Sequence, residues 1–161
     1  MNYRLLASVG WVAAFGALGF AYVLEYGFGL QPCPLCIFQR IAMFATGLVF
    51  LVAALHGPRA WGRWLYTALA VVAAGVGAAI AARHVWLLHL PADQVPACGP
   101  GLAYLRAVLP WREMLATVLR GDASCADIKA AFLGLSLPAW TMIGFLALAL
   151  WGLIAPSVAR R

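Results

Sequence analysis

The stretch Cys33-Pro-Leu-Cys-Ile-Phe-Gln-Arg-Ile-Ala-Met-Phe-Ala-Thr-Gly-Leu-Val-Phe-Leu-Val-Ala-Ala-Leu55 joins a Cys-x-x-Cys pair to a run that carries no charge after Arg40. A helix needs roughly 20 mostly apolar residues to cross a hydrocarbon core. Ile37–Leu55 has that length and confines Gln39 and Arg40 to its first turn. Three other stretches qualify, Leu5–Leu24, Trp64–Ala82 and Leu133–Ala155. The first and third hold no charged residue, and the fourth has Pro138 near its entrance, where a missing backbone donor matters least. The composition of the whole chain agrees. It has 161 residues, 65% of them hydrophobic and 10% charged, with a mean hydropathy of +0.92. A soluble domain could not hide that much apolar surface. The expected fold is therefore an all-α membrane protein, a four-transmembrane-helix bundle forming one integral membrane domain over residues 1–161, with spans at about 5–24, 37–55, 64–82 and 133–155.

Arg4 ahead of an apolar run resembles the start of a secretory signal, but Leu5–Leu24 is longer than the usual apolar region of one and reads as a retained span. The net charge of +6 suggests no nucleic-acid partner, because no basic stripe is interleaved with aromatics. The arginines stand at the ends of segments, where they anchor to headgroups.

Four spans place both termini on one side. They also place Cys33 and Cys36 (loop 25–36) on the same side as Cys98 and Cys125 (loop 83–132). Two thiol pairs at one membrane face can exchange with each other. The opposite side holds Arg4, Arg59, Arg63, Arg160 and Arg161 in short segments without acidic residues, which reads as cytoplasmic. The long cysteine loop dilutes Arg83, Arg106, Arg112, Arg120 and Lys129 with Asp93, Glu113, Asp122 and Asp127. The even cysteine count also suits an oxidising, outer compartment.

Gly27, Gly29, Pro32 and Pro34 set turns in the first outer loop and hold the cysteine pair at the bilayer surface. Cys36 falls at or near the N-terminus of the second helix, where the dipole favours an anion, and Arg40 follows four residues later on the same face. Both features favour a thiolate at the membrane boundary, the arrangement a donor of electrons to a lipid-soluble acceptor needs. His84 and His89 are five residues apart and do not share a helix face, which argues against a two-histidine metal or haem clamp on that helix, and no metal is expected. His84 alone could relay a proton. In the long loop, Cys98 sits in a turn-rich strip. Beyond it, Trp111, Met114, Leu115, Val118 and Leu119 share one helical face after Pro110, which predicts a short amphipathic helix lying in the interface.

Four motifs in order, Cys33-Pro-Leu-Cys-Ile-Phe-Gln-Arg40, Arg83-His-Val-Trp-Leu87, Val95-Pro-Ala-Cys-Gly-Pro-Gly101 and Phe132-Leu-Gly-Leu-Ser-Leu-Pro-Ala-Trp140, resemble the DsbB family of bacterial inner-membrane disulfide bond formation proteins. The likeness runs from about Leu30 to Trp140, with the first helix in the expected place. It implies a quinone-dependent thiol oxidase with both termini cytoplasmic and the cysteine loops periplasmic. In such proteins a Cys98–Cys125 disulfide would oxidise a soluble, thioredoxin-like, DsbA-like partner. The partner would attack at Cys98, and Cys125 would then engage Cys33 of a Cys33–Cys36 disulfide, releasing Cys36 against a quinone, ubiquinone or menaquinone, drawn from the membrane pool. Arg40 and His84 match the family's quinone-site arginine and histidine, and Leu137 and Trp140 match positions of the pocket wall. One departure is Ala130-Ala131 ahead of Phe132, where related proteins often carry an aromatic. The vitamin K epoxide reductase type fits poorly, since its loop cysteines precede the Cys-x-x-Cys. The remaining alternative is a membrane scaffold or metal-binding protein with incidental cysteines.

Overall fold

In a computed structural model, residues 2–59, 61–91, 93–94, 102–121 and 131–159 are described. Four long helices dominate: α1 (Tyr3–Phe28), α2 (Pro34–His56), α3 (Trp61–Leu88) and α6 (Leu137–Val158). Each is long and apolar enough to cross a membrane. Two short helices, α4 (Leu102–Val108) and α5 (Trp111–Arg120), lie between α3 and α6. They are followed by a two-residue antiparallel hairpin, β1 (Ala131–Phe132) with β2 (Leu135–Ser136). Leu133 and Gly134 turn that hairpin with φ of 52° and 80°. The apolar stretch from Leu133 therefore becomes helical only at Leu137, where Ser136 stands at the N-cap position with extended backbone and Pro138 occupies the first turn.

The long helices pack as a ring of neighbours. The most extensive contacts are α3 with α6, α1 with α2 and α2 with α3, and α1 with α6 closes the ring. Helices in lipid gain little from hydrophobic burial against each other, so close packing and interhelical hydrogen bonds must hold them. The sequence supplies both. A Cβ on Gly77 would collide with the Phe145 ring, so that glycine admits the aromatic; Gly10 does the same for Phe50 and Gly47 for Phe15. Around these contacts Ala14, Ala42, Ala70, Ala74, Ala81, Met43 and Leu148 complete a core of mostly small side chains. Thr67 Oγ1 donates to the Gly152 carbonyl at 3.0 Å, and Trp151 Nε1 donates to the Leu6 carbonyl at 2.9 Å, tying α6 to α3 and α1. Large apolar side chains such as Phe20, Leu55, Val72 and Leu150 point outward, as a lipid-facing surface requires.

At one end of the bundle, α4 and α5 cover the start of α2 and the end of α3. Leu105 and Val118 are buried with Cys33, Leu35 and Leu87. Arg83 fastens α5 by donating to the Leu119 and Arg120 carbonyls at 3.3 and 3.0 Å, while its guanidinium lies over Trp86. On the expected amphipathic face of α5 only Val118 is fully inside, and Trp111 and Leu119 face outward.

Candidate redox site

The local sequence builds the cysteine pair. Cys33 is the N-cap of α2 with extended backbone, Pro34 follows in the first helical turn, and the Cys36 backbone N–H donates to Cys33 Sγ at 3.3 Å. Proline suits that place because its φ is already helical and its missing N–H would have been unpaired there. The cap folds the two residues onto each other, so their Sγ atoms stand 3.1 Å apart, in contact but beyond bonding distance.

The packing of α3 adds a histidine. His84 is fully buried, with Nε2 at 3.8 Å from Cys33 Sγ and Nδ1 at 4.0 Å from Cys36 Sγ. Gln39, also buried, places its side-chain nitrogen 3.1 Å from His84 Nδ1. The end of the Gln39 amide that faces Nδ1 sets which ring nitrogen of His84 carries the proton. The donor atoms of Cys33, Cys36 and His84 lie within 4.8 Å of one another.

The two sulfurs face different surroundings. Cys33 is only 5% exposed and packs under α4 and α5, the helices of the second cysteine loop. Cys36 lines a cavity of about 830 Å³ between α1, α2 and α6. Leu18, Leu24, Met43, Leu137, Pro138 and Trp140 make its walls apolar, and Cys36, Gln39, Arg40 and Thr141 supply polar groups. Arg40 is held from α1: it pairs with the Glu25 carboxylate, donates to the Ala21 carbonyl at 3.2 Å and lies over the Tyr22 ring.

Among the expected site residues, the fold therefore brings together Cys33, Cys36 and His84, and places Arg40, Leu137 and Trp140 around the cavity that Cys36 enters. His84 stands behind the sulfurs and is not among the cavity-lining residues. Cys98 and Cys125 lie outside the described residues. Sequence reasoning passed over Gln39 and Glu25. Gln39 had a signal, because it is three residues after Cys36 and so shares its face. Glu25 had another, as the only charged residue between Arg4 and Arg40.

A cysteine pair at a helix start has a histidine behind it and an arginine beside an apolar cavity. Residues 3–155 match the sequence model of the family described as "Disulfide bond formation protein DsbB". The chain belongs to the DsbB family. It is 48% identical over 153 residues to the disulfide bond formation protein B of Marinobacter nauticus, covering 95% of this chain and 91% of that protein. The corresponding protein of Xanthomonas euvesicatoria pv. vesicatoria is 48% identical over 161 residues, covering 99% and 94%. That of Chromohalobacter salexigens is 50% identical over 147 residues, covering 89% and 86%. Membership in the DsbB family carries a role in disulfide bond formation, a disulfide oxidoreductase activity and a multi-pass membrane location. The Cys33–Cys36 pair is the described DsbB element with the chemistry for it.

Proposed function

We propose that this protein is a protein-dithiol:quinone oxidoreductase of the bacterial inner membrane that reoxidises a periplasmic DsbA-like thiol oxidase. In this reading both termini are cytoplasmic, both cysteine loops are periplasmic, and the outward face of α5 rests on the membrane surface. The observation that carries the reading is the apolar cavity into which Cys36 opens beside Arg40. An acceptor that lives in the bilayer needs an apolar berth, an entry between helices and a polar group for its oxygen atoms. The walls from α1 and α6, with Arg40 at one side, fit those needs. Arg40, Leu137 and Trp140 would hold a quinone there, and such a group supplies the sink for two electrons and two protons.

The residues of the chain do the rest. A thiolate of the partner attacks Cys98 of a Cys98–Cys125 disulfide, and the partner's second thiol resolves the mixed disulfide, leaving the partner oxidised and the loop pair reduced. Cys125 then attacks Cys33 of the Cys33–Cys36 disulfide, and Cys36 departs as the thiolate. Cys98 displaces Cys33 and restores the loop disulfide, so one disulfide has moved and one dithiol remains at the head of α2. The burial of Cys33 against the helices of the second loop, and of Cys36 against the cavity, supports this division of labour. His84, with Nε2 at 3.8 Å from Cys33 Sγ, can give or take a proton as that sulfur changes charge.

The deciding experiment mixes the purified protein with an excess of a reduced thioredoxin-like partner, with and without added quinone. Continuous partner oxidation is expected only with quinone. Sustained turnover without any acceptor, or none with it, would overturn the reading.

A further inference from the structure

Helix α3 carries no pair of histidines on one face, yet the tertiary structure assembles a metal-binding donor set from two helices. Cys33 Sγ, Cys36 Sγ and a ring nitrogen of His84 all lie within 4.8 Å of one another. Two thiolates and an imidazole are the donors that zinc takes in its Cys/His sites, and a Cys-x-x-Cys pair is their commonest short spacing. We propose that the reduced form of this site binds one zinc ion through Cys33, Cys36 and His84, and that zinc thereby locks the pair in the dithiol state. The proposal rests on the exchange role given above and adds a regulatory ligand to the same site.

The geometry asks for small movements only. Two thiolates bound at about 2.3 Å in a tetrahedral site stand roughly 3.8 Å apart, so the sulfurs must open from 3.1 Å. A bound imidazole nitrogen at about 2.0 Å stands roughly 3.5 Å from each sulfur, and His84 Nε2 is already 3.8 Å from Cys33 Sγ. Both changes call for rotation of the cysteine side chains about their Cα–Cβ bonds. A ligand histidine also needs a partner on its other nitrogen to fix the ring. Gln39, 3.1 Å from Nδ1, is in that place, and a half-turn of its amide presents the carbonyl oxygen to the Nδ1 proton that Nε2 ligation requires. Entry is from the cavity, where Cys36 is accessible and a solvent molecule can take the fourth position.

The balance is simple. Zinc binding displaces the two thiol protons and forms two metal–sulfur bonds with no change of oxidation state, whereas closing the Cys33–Cys36 disulfide removes both thiolates and expels the ion. The site is thus a redox-gated one, filled only after electrons have entered the pair, and a bound ion holds both thiolates and so opposes closure of the disulfide.

The test uses the full-length protein in detergent micelles with Cys98→Ser and Cys125→Ser, so that only the α2 pair contributes thiols. The reduced protein is titrated anaerobically with cobalt(II) and then zinc. The expected result is one ion per chain, with a thiolate-to-cobalt charge-transfer band, displacement of cobalt by zinc and no uptake after oxidation. Zinc-edge X-ray absorption should report two sulfur ligands and one nitrogen, a readout that needs no further variant. His84→Ala and Gln39→Leu should each weaken zinc binding at least tenfold. Absence of uptake, a first shell without nitrogen, or equal affinity in His84→Ala would overturn the proposal. Quinone-linked turnover measured without zinc is independent of all three outcomes, so the exchange role stands or falls separately.

Discussion

Two arginines at opposite ends of the helix bundle, Arg4 and Arg40, are used in different ways. At the end formed by the start of α1 and the finish of α2, Arg4 donates to the Ala54 and Leu55 carbonyls at 2.9 and 3.2 Å. Nearby, Arg63 reaches the Pro58 and Ala159 carbonyls and lies over the Tyr3 ring. The Ala54, Leu55 and Ala159 carbonyls are ones that a helix leaves unpaired at its C-terminus, where the dipole also favours positive charge. At the cysteine end, Arg40 sits in the second turn of its own helix, far from any C-terminal carbonyl of α2, and is braced by Glu25 and Ala21 of α1. There the guanidinium borders a cavity instead of closing a helix. The difference separates an arginine that holds the fold from one that is itself held by the fold.

That contrast can be broken most severely at Cys36. Cys36→Ala should abolish quinone reduction by a reduced dithiol partner, by a factor above about a thousand, since the thiolate is the reactive species. Anaerobic absorbance at the quinone band measures it, and undiminished turnover would remove the cavity end from the mechanism. Arg40→Ala comes next. Loss of a charged hydrogen-bond donor at the cavity should raise the quinone KM about tenfold or more, and an unchanged KM would reduce Arg40 to an anchor like Arg63. Glu25→Gln keeps the shape and removes the brace's charge. A few-fold rise in the same KM is expected, smaller than for Arg40→Ala because the Ala21 carbonyl still holds the guanidinium. Arg4→Ala should have the smallest effect, about 0.5–1 kcal/mol of stability from the lost carbonyl contacts. Thermal unfolding in micelles would show it, while KM and turnover remain those of the parent protein. A change in KM there would mean that the two ends are coupled through the helices.

The Gly77–Phe145 contact lies between the two ends and serves both. Gly77→Val would drive a side chain into the ring and cost about 1–3 kcal/mol. Helix packing of this kind is visible in a sequence only as an excess of small residues and does not say which glycine meets which ring.

Composition and apolar run length determined the membrane class and the four long helices, because a hydrocarbon core sets a minimum length that Ile37–Leu55 and its three counterparts meet. Local chemistry also decided that Cys33 and Cys36 would be neighbours, since Cys-Pro-Leu-Cys caps and opens a helix within four residues. What needed the tertiary structure was every relation between helices. The distance from Cys33 to His84 spans 51 positions of sequence, and no periodicity in α3 says that its residue 84 will be fully buried behind those sulfurs. The pairing of Arg40 with Glu25 depends likewise on how α1 and α2 are rotated against each other. Apolar patterning fixes which residues enter the membrane, but the rotation and register of one helix against the next are set by packing small residues against rings, and those contacts place the few polar groups where they can act.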